Sequence, residues 1–463
     1  MAERVKSVPK MAARKRDETY SLLNPRDWSM QLIVLSALLL LIFLTGGTSR
    51  YDTPHVMVLR PAAILAAGFA LITLSREHWQ SYRPVLALAI AVTGLIAFHL
   101  VPLPPGVWQS LPGREIVADI DALAGFEDQW RPLSLFPEGT RNALYAMSVP
   151  VAALLLGVQL GERDRARLLL VVILLCMASG LVGVIQAAGS DIRFYRVSSE
   201  NAGLFANRNH QAAMLAAMFP MIAAMALSAS AYTNHARPVR LVAAAGLVAL
   251  VPLIMVTGSR MGLVVGLIGF ACLVFMRFSK EGSEKSFALS GAMQALAGAL
   301  IAAGMAAGTV FLARDKALDR MAGGTEDEMR LPVWQSMIEF MPQYMPWGSG
   351  VGSFVPVYQI HEPTTLLMPG YFNQAHNDWL DIPLTSGLPG VVLAAAAIVM
   401  FALGAKAALA ARGVSGHLRR CGIIVILVLA FASLSDYPIR TPILAAVIAI
   451  AAVWASSPAL QKS

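Results

Sequence analysis

The stretch LLLVVILLCMASGLVGVI, residues 168–185, decides the fold class of this chain. It is entirely free of charged side chains and is long enough, as a helix, to cross a hydrocarbon core of about 30 Å. Apolar runs of comparable length recur from Met30 to Trp454. Of the 463 residues, 57% are hydrophobic and 14% are charged, whereas soluble domains carry about 25% charged residues. The sequence therefore predicts an all-α polytopic membrane protein.

The apolar runs predict about twelve transmembrane helices. We expect them at 30–46, 56–74, 84–101, 143–160, 167–188, 210–230, 240–256, 262–276, 287–312, 380–405, 421–434 and 438–456. The basic segment 1–29 followed by the first run is also typical of a signal peptide, but the length of both favours an uncleaved first helix. The resulting organisation is a basic segment 1–29, membrane parts 30–312 and 380–456, a large loop 313–379 and a tail 457–463.

Charge in the loops predicts the orientation of these helices. With the N-terminus inside, the predicted cytoplasmic segments hold 22 of the 36 Lys and Arg, but only 9 of the 28 Asp and Glu. Both termini are then cytoplasmic, and the segments 102–142, 189–209 and 313–379 lie outside. The last of these, between the ninth and tenth helices, contains a predicted amphipathic helix at 331–341. This helix either lies on the membrane surface, caps the bundle or packs against neighbouring helices.

Three polar stretches fall on the predicted outer face. They are Arg193 to His210, Thr257 to Gly262, and Ala375 to Leu380 with the following Ser386 to Gly390. They are distant in sequence, but the topology brings all three to one membrane surface. This convergence predicts a functional site there.

Arg260 is the most informative of the charged residues in these stretches. Its turn between two apolar runs is so short that the side chain must lie close to the hydrocarbon boundary, where an unpaired charge is costly. The planar guanidinium matches two phosphate oxygens at once, so a diphosphate at the membrane surface is a suitable partner. The alternative is a snorkelling or salt-bridged arginine.

His376 is the candidate general base, because a neutral imidazole accepts a proton from an attacking hydroxyl near physiological pH. The alternative is a structural histidine at a helix start. Asn377 and Asp378 either orient His376 or cap the following helix, and we expect capping from Asp378. Asn207, Asn209 and His210 also lie at a predicted helix start, where capping is the expected role.

Other kinds of site find little support in the sequence. The acidic residues Glu326 to Glu328, with Asp315 and Asp319, are the candidate for a divalent cation. They lack a recognised ligand spacing, so a solvated loop is favoured and no metal is expected. Phosphate-cradling loops and basic nucleic-acid stripes are absent, and we expect no cofactor and no nucleic-acid partner.

The ordered motifs resemble those of the superfamily of O-antigen ligases, O-antigen polymerases and protein O-oligosaccharyltransferases. The matching phrases are Gly203 to Asn209 before a helix, the Ser259 to Gly262 turn, Arg330 with Trp334, Pro346 to Phe354, and His376-Asn377 with Gly387 to Gly390. The segments Pro102 to Pro105 and Arg131 to Thr140 are similar to one branch of these proteins. The matches extend from about residue 100 to residue 390.

The resemblance implies a metal-independent, inverting glycosyltransferase in the bacterial inner membrane, with its active site facing the periplasm. Its donor would be a glycan on polyprenyl (undecaprenyl) diphosphate in the lipid bilayer, and its acceptor a glycolipid such as lipid A core or another glycan. Arg260, together with Arg196 or Arg208, would bind the diphosphate, and His376 would be the base. Asn207, Asn209, Arg330 and Asn377 would support these groups.

Three functions remain open at this point. A ligase attaches a finished chain to an acceptor, and a polymerase joins repeat units of O-antigen, capsule or exopolysaccharide by the same chemistry. A secondary transporter is the third, but transporters place broken helices and ionisable groups near the bilayer midplane. The charged groups of this sequence gather at one surface, which favours an enzyme.

Overall fold

The chain is built almost entirely of helices. A computed structural model describes residues 25–196, 201–277, 326–367 and 370–457. Its helices are α1 Met30–Thr45, α2 Val56–Thr73, α3 Arg76–Ser81, α4 Arg83–Phe98, α5 Pro105–Trp108, α6 Glu115–Ala124, α7 Pro137–Ala146, α8 Ser148–Gly157, α9 Glu162–Ala187, α10 Arg208–Tyr232, α11 Ala236–Val256, α12 Arg260–Ala271, α13 Glu326–Phe340, α14 Phe354–His361, α15 Asp378–Ala410, α16 Gly413–Ala432 and α17 Pro442–Ser456. Two short strands, β1 Pro102–Leu103 and β2 Arg131–Pro132, pair antiparallel.

Within the described residues, six helices are long and apolar enough to cross a membrane, namely α2, α9, α10, α11, α15 and α16. Shorter apolar helices lie at Met30–Thr45, Arg83–Phe98, Arg260–Met276 and Pro442–Ser456. The predicted class, a helical membrane protein, is confirmed. The number of twelve spans and the predicted domain boundaries stay predictions, and the ninth predicted span, 287–312, lies outside the described residues.

Helix α10 is the centre of the bundle. In an apolar stretch of 18 residues within this helix, 78% of the residues are buried. Helices α9, α11, α12 and α16 pack around it. Alanine dominates its sequence, and small side chains allow helices to approach closely. A Cβ atom on Gly262 of α12, for example, would lie only 2.3 Å from the Cβ of Ala212. The start of α10 is therefore held firmly against the start of α12.

Helix α15 is broken at Gly387, which has φ 60° and ψ −157°, a conformation open essentially only to glycine. Pro389 has no N–H group, so the carbonyl of Thr385 loses its helical donor. The segment 346–350 satisfies the break, because the Gly350 N–H donates to that carbonyl at 2.8 Å. The N–H of Leu388 in turn donates to the Pro346 carbonyl at 2.7 Å. The break is thus an ordered joint.

The same segment also binds the first long loop. The buried guanidinium of Arg114 donates to the Gly348 carbonyl at 2.9 Å, and the hydroxyl of Thr140 donates to the Val351 carbonyl at 2.7 Å. Burial lowers the pKa of Arg114 to about 10. Segments 102–142 and 346–351 are therefore joined by hydrogen bonds next to the break in α15.

The predicted amphipathic helix forms as part of α13. Its apolar face, including Val333 and Met337, is buried in a small core separate from the main one, together with Tyr358 of α14 and Leu384 of α15. Ile338 on the other side is exposed. Of the three predicted roles, packing against neighbouring helices is the one observed.

Candidate functional site

The carboxylate of Asp436 is the centre of the polar cluster. Asp436 lies in the short connection between α16 and α17 and is completely buried. Its Oδ2 atom accepts from the side-chain amides of Asn209 at 2.7 Å and Asn207 at 3.3 Å. Its Oδ1 atom accepts from the backbone N–H of Tyr437 at 3.0 Å. Both carboxylate oxygens are therefore satisfied by residues from two distant parts of the chain.

Two histidines approach the same oxygen of Asp436. The Nε2 atom of His210 lies 3.4 Å from Oδ1, and the Nδ1 atom of His376 lies 3.3 Å from it. Both distances are within ion-pair range, although neither contact has the alignment of a hydrogen bond. The Tyr437 ring packs edge-on against both imidazoles, at centroid distances of 4.9 and 4.8 Å. Burial by itself would raise the pKa of Asp436, but the two imidazoles hold it well below its ordinary value.

The start of α10 presents its polar residues through a tight turn. Gly203 has φ 60°, and a Cβ there would lie 2.5 Å from the Ser179 carbonyl of α9. Asn207 caps α10 by accepting from the Asn209 N–H at 2.8 Å, as predicted. The same Asn207 and Asn209 side chains reach Asp436, so capping is only part of their role.

The starts of α10 and α12 are joined by a direct side-chain bond. Ser259 caps α12 by accepting from the Gly262 N–H, and its hydroxyl donates to the side-chain Oδ1 atom of Asn209 at 2.8 Å. Arg208 and Arg260 are the first residues of these two helices. One guanidinium nitrogen of Arg208 lies 3.7 Å from the position a Cβ on Gly258 would take. Both arginines therefore lie where the starts of α10 and α12 meet, at the Ser259–Asn209 hydrogen bond. We call this point the junction.

Neither of these arginines has an acidic partner among the described residues. Both side chains are half-buried, and the Nε atom of Arg260 is buried without a hydrogen-bond partner in the part of the chain that the structure describes. Guanidinium groups at helix starts, where backbone N–H groups also point outwards, form a favourable environment for an anion.

Helix α13 holds the backbone next to His376 and Asp436 in place. Arg330 donates to the Ser435 carbonyl at 2.7 Å, next to Asp436. One turn later, the indole N–H of Trp334 donates to the Ala375 carbonyl at 2.8 Å, next to His376. Residues four apart lie on one face of a helix. The Arg330-x-x-x-Trp334 motif thus positions the segments that carry Asp436 and His376.

His376 itself has φ 52°, in the left-handed region that non-glycine residues rarely adopt. Asn377 follows it as the cap of α15, accepting from the N–H groups of Trp379 and Leu380. The prediction that Asp378 caps this helix is wrong. Because Asn377 has the extended backbone of a cap, Asp378 is the first helical residue, and its carboxylate accepts from Arg440 at 2.7 Å.

Arg440, like Asp436, is a charged residue of the site that was not predicted from the sequence. It contacts Asp378, Asp381 and the side-chain carbonyl of Gln374. These carboxylates raise the pKa of Arg440 against the opposing effect of burial. The ion cluster fixes the start of α15 to the connection that carries Asp436.

Asp436 and Arg440 had a signal in the sequence. Asp436 lies between the eleventh and twelfth predicted spans, and Arg440 lies just inside the twelfth. A charge at either position has little room to reach water. The same reasoning that singled out Arg260 applies to both. Arg196, by contrast, is exposed, and within the described residues it makes no contact with the Asp436 cluster.

Among the described residues, no group of three His, Cys, Asp or Glu side chains is arranged to hold a metal ion. The predicted acidic candidates Asp315 and Asp319 lie outside that part of the chain, as do the side chains of Glu326 to Glu328.

The geometry and the motifs agree with a comparison against known families. Residues 245–395 match the O-antigen ligase family. The predicted resemblance to the O-antigen ligase superfamily is confirmed. The matched segment contains Arg260, α13, His376 and the break at Gly387, whereas Arg208 and Asp436 lie outside it. No curated protein was matched by the chain.

The O-antigen ligase match supports a membrane glycosyltransferase of the ligase or polymerase type. The matched residues include the part of the site that α12, α13 and the start of α15 contribute. The other part, from α10 and from the connection before α17, is joined to it through Asn209 and Asp436.

Proposed function

We propose that this protein transfers a glycan from a polyprenyl diphosphate carrier to a hydroxyl acceptor, such as lipid A core, at the periplasmic face of the bacterial inner membrane. The observation that carries the proposal is one junction that joins a histidine to two arginines without an acidic partner among the described residues. Arg208 and Arg260 start from the Ser259–Asn209 contact, and Asn209 binds the carboxylate beside His376. Cationic groups for a leaving group and a base for a nucleophile are thus assembled together.

His376 acts as the general base in this mechanism. It takes the proton of the acceptor hydroxyl while the acceptor oxygen bonds to the anomeric carbon. The bond between that carbon and the diphosphate oxygen breaks, and its electron pair stays on the diphosphate. Attack from the side opposite the leaving group inverts the anomeric configuration.

The arginines stabilise the leaving group. Arg260 and Arg208 face the negative charge that grows on the diphosphate, which is the electrostatic role that a metal ion has in other transferases. Arg208 is the better candidate for the second arginine because it lies at the junction, whereas Arg196 is exposed. The reaction then requires neither a metal nor a nucleotide cofactor.

A polymerase of lipid-linked repeat units would use the same groups and is the alternative proposal. Deletion of the gene separates the two. Accumulation of free lipid-linked polymer indicates a ligase, whereas accumulation of single lipid-linked repeats indicates a polymerase.

A transporter is less well supported. Its broken helices would present free backbone carbonyls to a coupling ion. The break in α15 offers little of this kind, because the segment 346–350 donates to the carbonyls of Leu384 and Thr385.

The test is transfer by purified protein in lipid nanodiscs from defined undecaprenyl diphosphate-linked oligosaccharides to candidate acceptors. His376→Ala and Arg260→Ala are expected to reduce transfer to a small residual rate while the protein stays folded. Arg141→Ala is the control, because Arg141 is an exposed arginine outside the site. Near-normal transfer by both His376→Ala and Arg260→Ala would contradict the proposed mechanism.

A further inference from the structure

The buried carboxylate of Asp436 faces only one nitrogen of the His376 ring. We infer that Asp436 is a positioning residue that keeps the proton on Nδ1 of His376 and leaves Nε2 unprotonated towards the substrate. The role of the free Nε2 atom as a base rests on the proposed function. The choice of protonated nitrogen does not, and it can be measured without any substrate.

The carboxylate is held in a single orientation. The amides of Asn207 and Asn209 both donate to Oδ2, and the backbone N–H of Tyr437 donates to Oδ1. Rotation of the carboxylate would break these bonds inside the protein, where an unsatisfied charged group is costly. Oδ1 is therefore the oxygen that consistently faces the histidines.

The His376 ring is also held in place. Its Nδ1 atom lies 3.3 Å from Oδ1 of Asp436, and aromatic rings of Tyr437 and Phe372 pack against it edge-on. The bond from Trp334 to the Ala375 carbonyl fixes the turn that precedes it. Such contacts to catalytic histidines tend to be long without substrate and to shorten when it binds.

The two histidines beside Asp436 differ in access. The side chain of His210 is 2% exposed, whereas that of His376 is 11% exposed. Only His376 can therefore present a ring nitrogen to a substrate. Because a carboxylate only accepts hydrogen bonds, it favours the tautomer in which the facing nitrogen carries hydrogen.

Asp436→Asn reverses this preference for a specific reason. Asn207 and Asn209 both present amide N–H groups to the Oδ2 position. The new amide will place its carbonyl oxygen towards them, because its own NH2 group there would face two donors. At the Oδ1 position the NH2 group faces one donor, the backbone N–H of Tyr437. That NH2 group then faces His376 and favours an unprotonated Nδ1, with the proton on Nε2.

The first experiment is nitrogen NMR of the full chain, labelled with ¹⁵N-histidine, in nanodiscs at pH 8.5 without substrate. The His376 signals are assigned by their loss in His376→Gln. We expect a protonated Nδ1 and an unprotonated Nε2 in the unsubstituted protein, and the reverse in Asp436→Asn. A protonated Nε2 in the unsubstituted protein, or no change on substitution, overturns the inference.

The second experiment measures transfer from undecaprenyl diphosphate-linked oligosaccharide. Asp436→Asn is expected to lower kcat between about 10²- and 10⁴-fold, the range of general base catalysis, with little change in KM. In a His376→Ala background the same substitution should have no further effect, because Asp436 acts through His376. A further loss in that background indicates a merely structural role and contradicts the inference.

Failure of the proposed function gives a different pattern. If His376→Ala retains transfer, the base is misassigned, while the NMR result for Asp436 still stands. If His376→Ala loses transfer and Asp436→Asn keeps normal kcat, the positioning role is wrong. Should Asp436→Asn not fold, Asp436→Glu keeps the charge but shifts the carboxylate, and its kcat should fall at least 10-fold only when His376 is present.

Discussion

The guanidinium of Arg440 binds the carboxylate of Asp378 at 2.7 Å, although 62 positions separate them in the sequence. Arg440 also binds Asp381 on the next turn of α15. This cluster fixes the helix that follows His376 to the connection that carries Asp436. Two members of the candidate site therefore depend on one ion cluster.

Arg440→Met is expected to destabilise the protein strongly, because it leaves the buried carboxylate of Asp381 and the largely buried carboxylate of Asp378 without their cationic partner. Breaking a buried pair in this way costs about 3–5 kcal/mol in the free energy of unfolding. Thermal unfolding in detergent measures the effect. Arg50→Met is the matched control, since the Arg50–Asp52 pair is exposed and is worth about 0–1 kcal/mol. Equal unfolding temperatures for the two variants would refute this prediction.

Gly387→Ala is expected to disrupt the joint in α15. A Cβ atom there would lie 2.2 Å from the Pro346 carbonyl oxygen, and the backbone has φ 60°. Strain of this kind costs about 1–3 kcal/mol before the collision is counted. Gly94→Ala in α4 is the control, because nothing lies within 4 Å of its new Cβ. Protease cleavage in the segment 346–350 should increase only in the Gly387 variant, and resistance there would show that the joint tolerates a side chain.

Trp334→Phe is expected to loosen the turn at His376 without removing the ring that packs in the small core. It deletes the hydrogen bond to the Ala375 carbonyl, which is worth about 0.5–1.5 kcal/mol. We expect kcat for glycan transfer to fall about 10-fold, since small displacements of catalytic groups are costly. Trp130→Phe is the control, because Trp130 is exposed. Unchanged kcat in Trp334→Phe would mean that the hydrogen bond does not position His376.

The pH dependence of stability should report the charge of Asp436. Its pKa is lowered in the folded state relative to the ordinary value of about 3.9. Its stabilising contribution is therefore fully present above that value and is lost as the pH falls towards the folded pKa. The difference in unfolding temperature between the natural protein and Asp436→Asn should shrink as the pH falls below about 4. A difference that does not shrink there would contradict the lowered pKa.

Removal of divalent cations should leave glycan transfer unchanged. Arg208 and Arg260 supply the positive charge that the leaving diphosphate requires, so no metal is needed for that step. Transfer is measured with excess EDTA and after addition of Mg²⁺. Loss with EDTA and recovery with Mg²⁺ would assign the role to a metal instead.

Much of the architecture was predictable from local sequence. Apolar runs such as Met30–Thr45 and Val56–Thr73 mark helices whose described bounds lie within two residues of the predicted ones. Helix starts were also accessible, since Asn207 and Ser259 cap α10 and α12 through bonds to residues two or three positions away. The capping error at Asp378 shows the limit of such reasoning, because neighbouring Asn and Asp residues compete for one cap and a distant arginine decides between them.

By itself the sequence determined the helical membrane class and the resemblance to the O-antigen ligase superfamily. It also determined the helices that begin at or next to Arg208, Arg260 and His376. These follow from hydrophobicity and from motifs, which are properties of contiguous residues. Only the tertiary structure decided that a carboxylate near the end of the chain joins Asn209 to His376, and that Arg208 rather than Arg196 lies at this junction. Such contacts form between segments up to 229 positions apart, and they depend on how small residues let the helices pack.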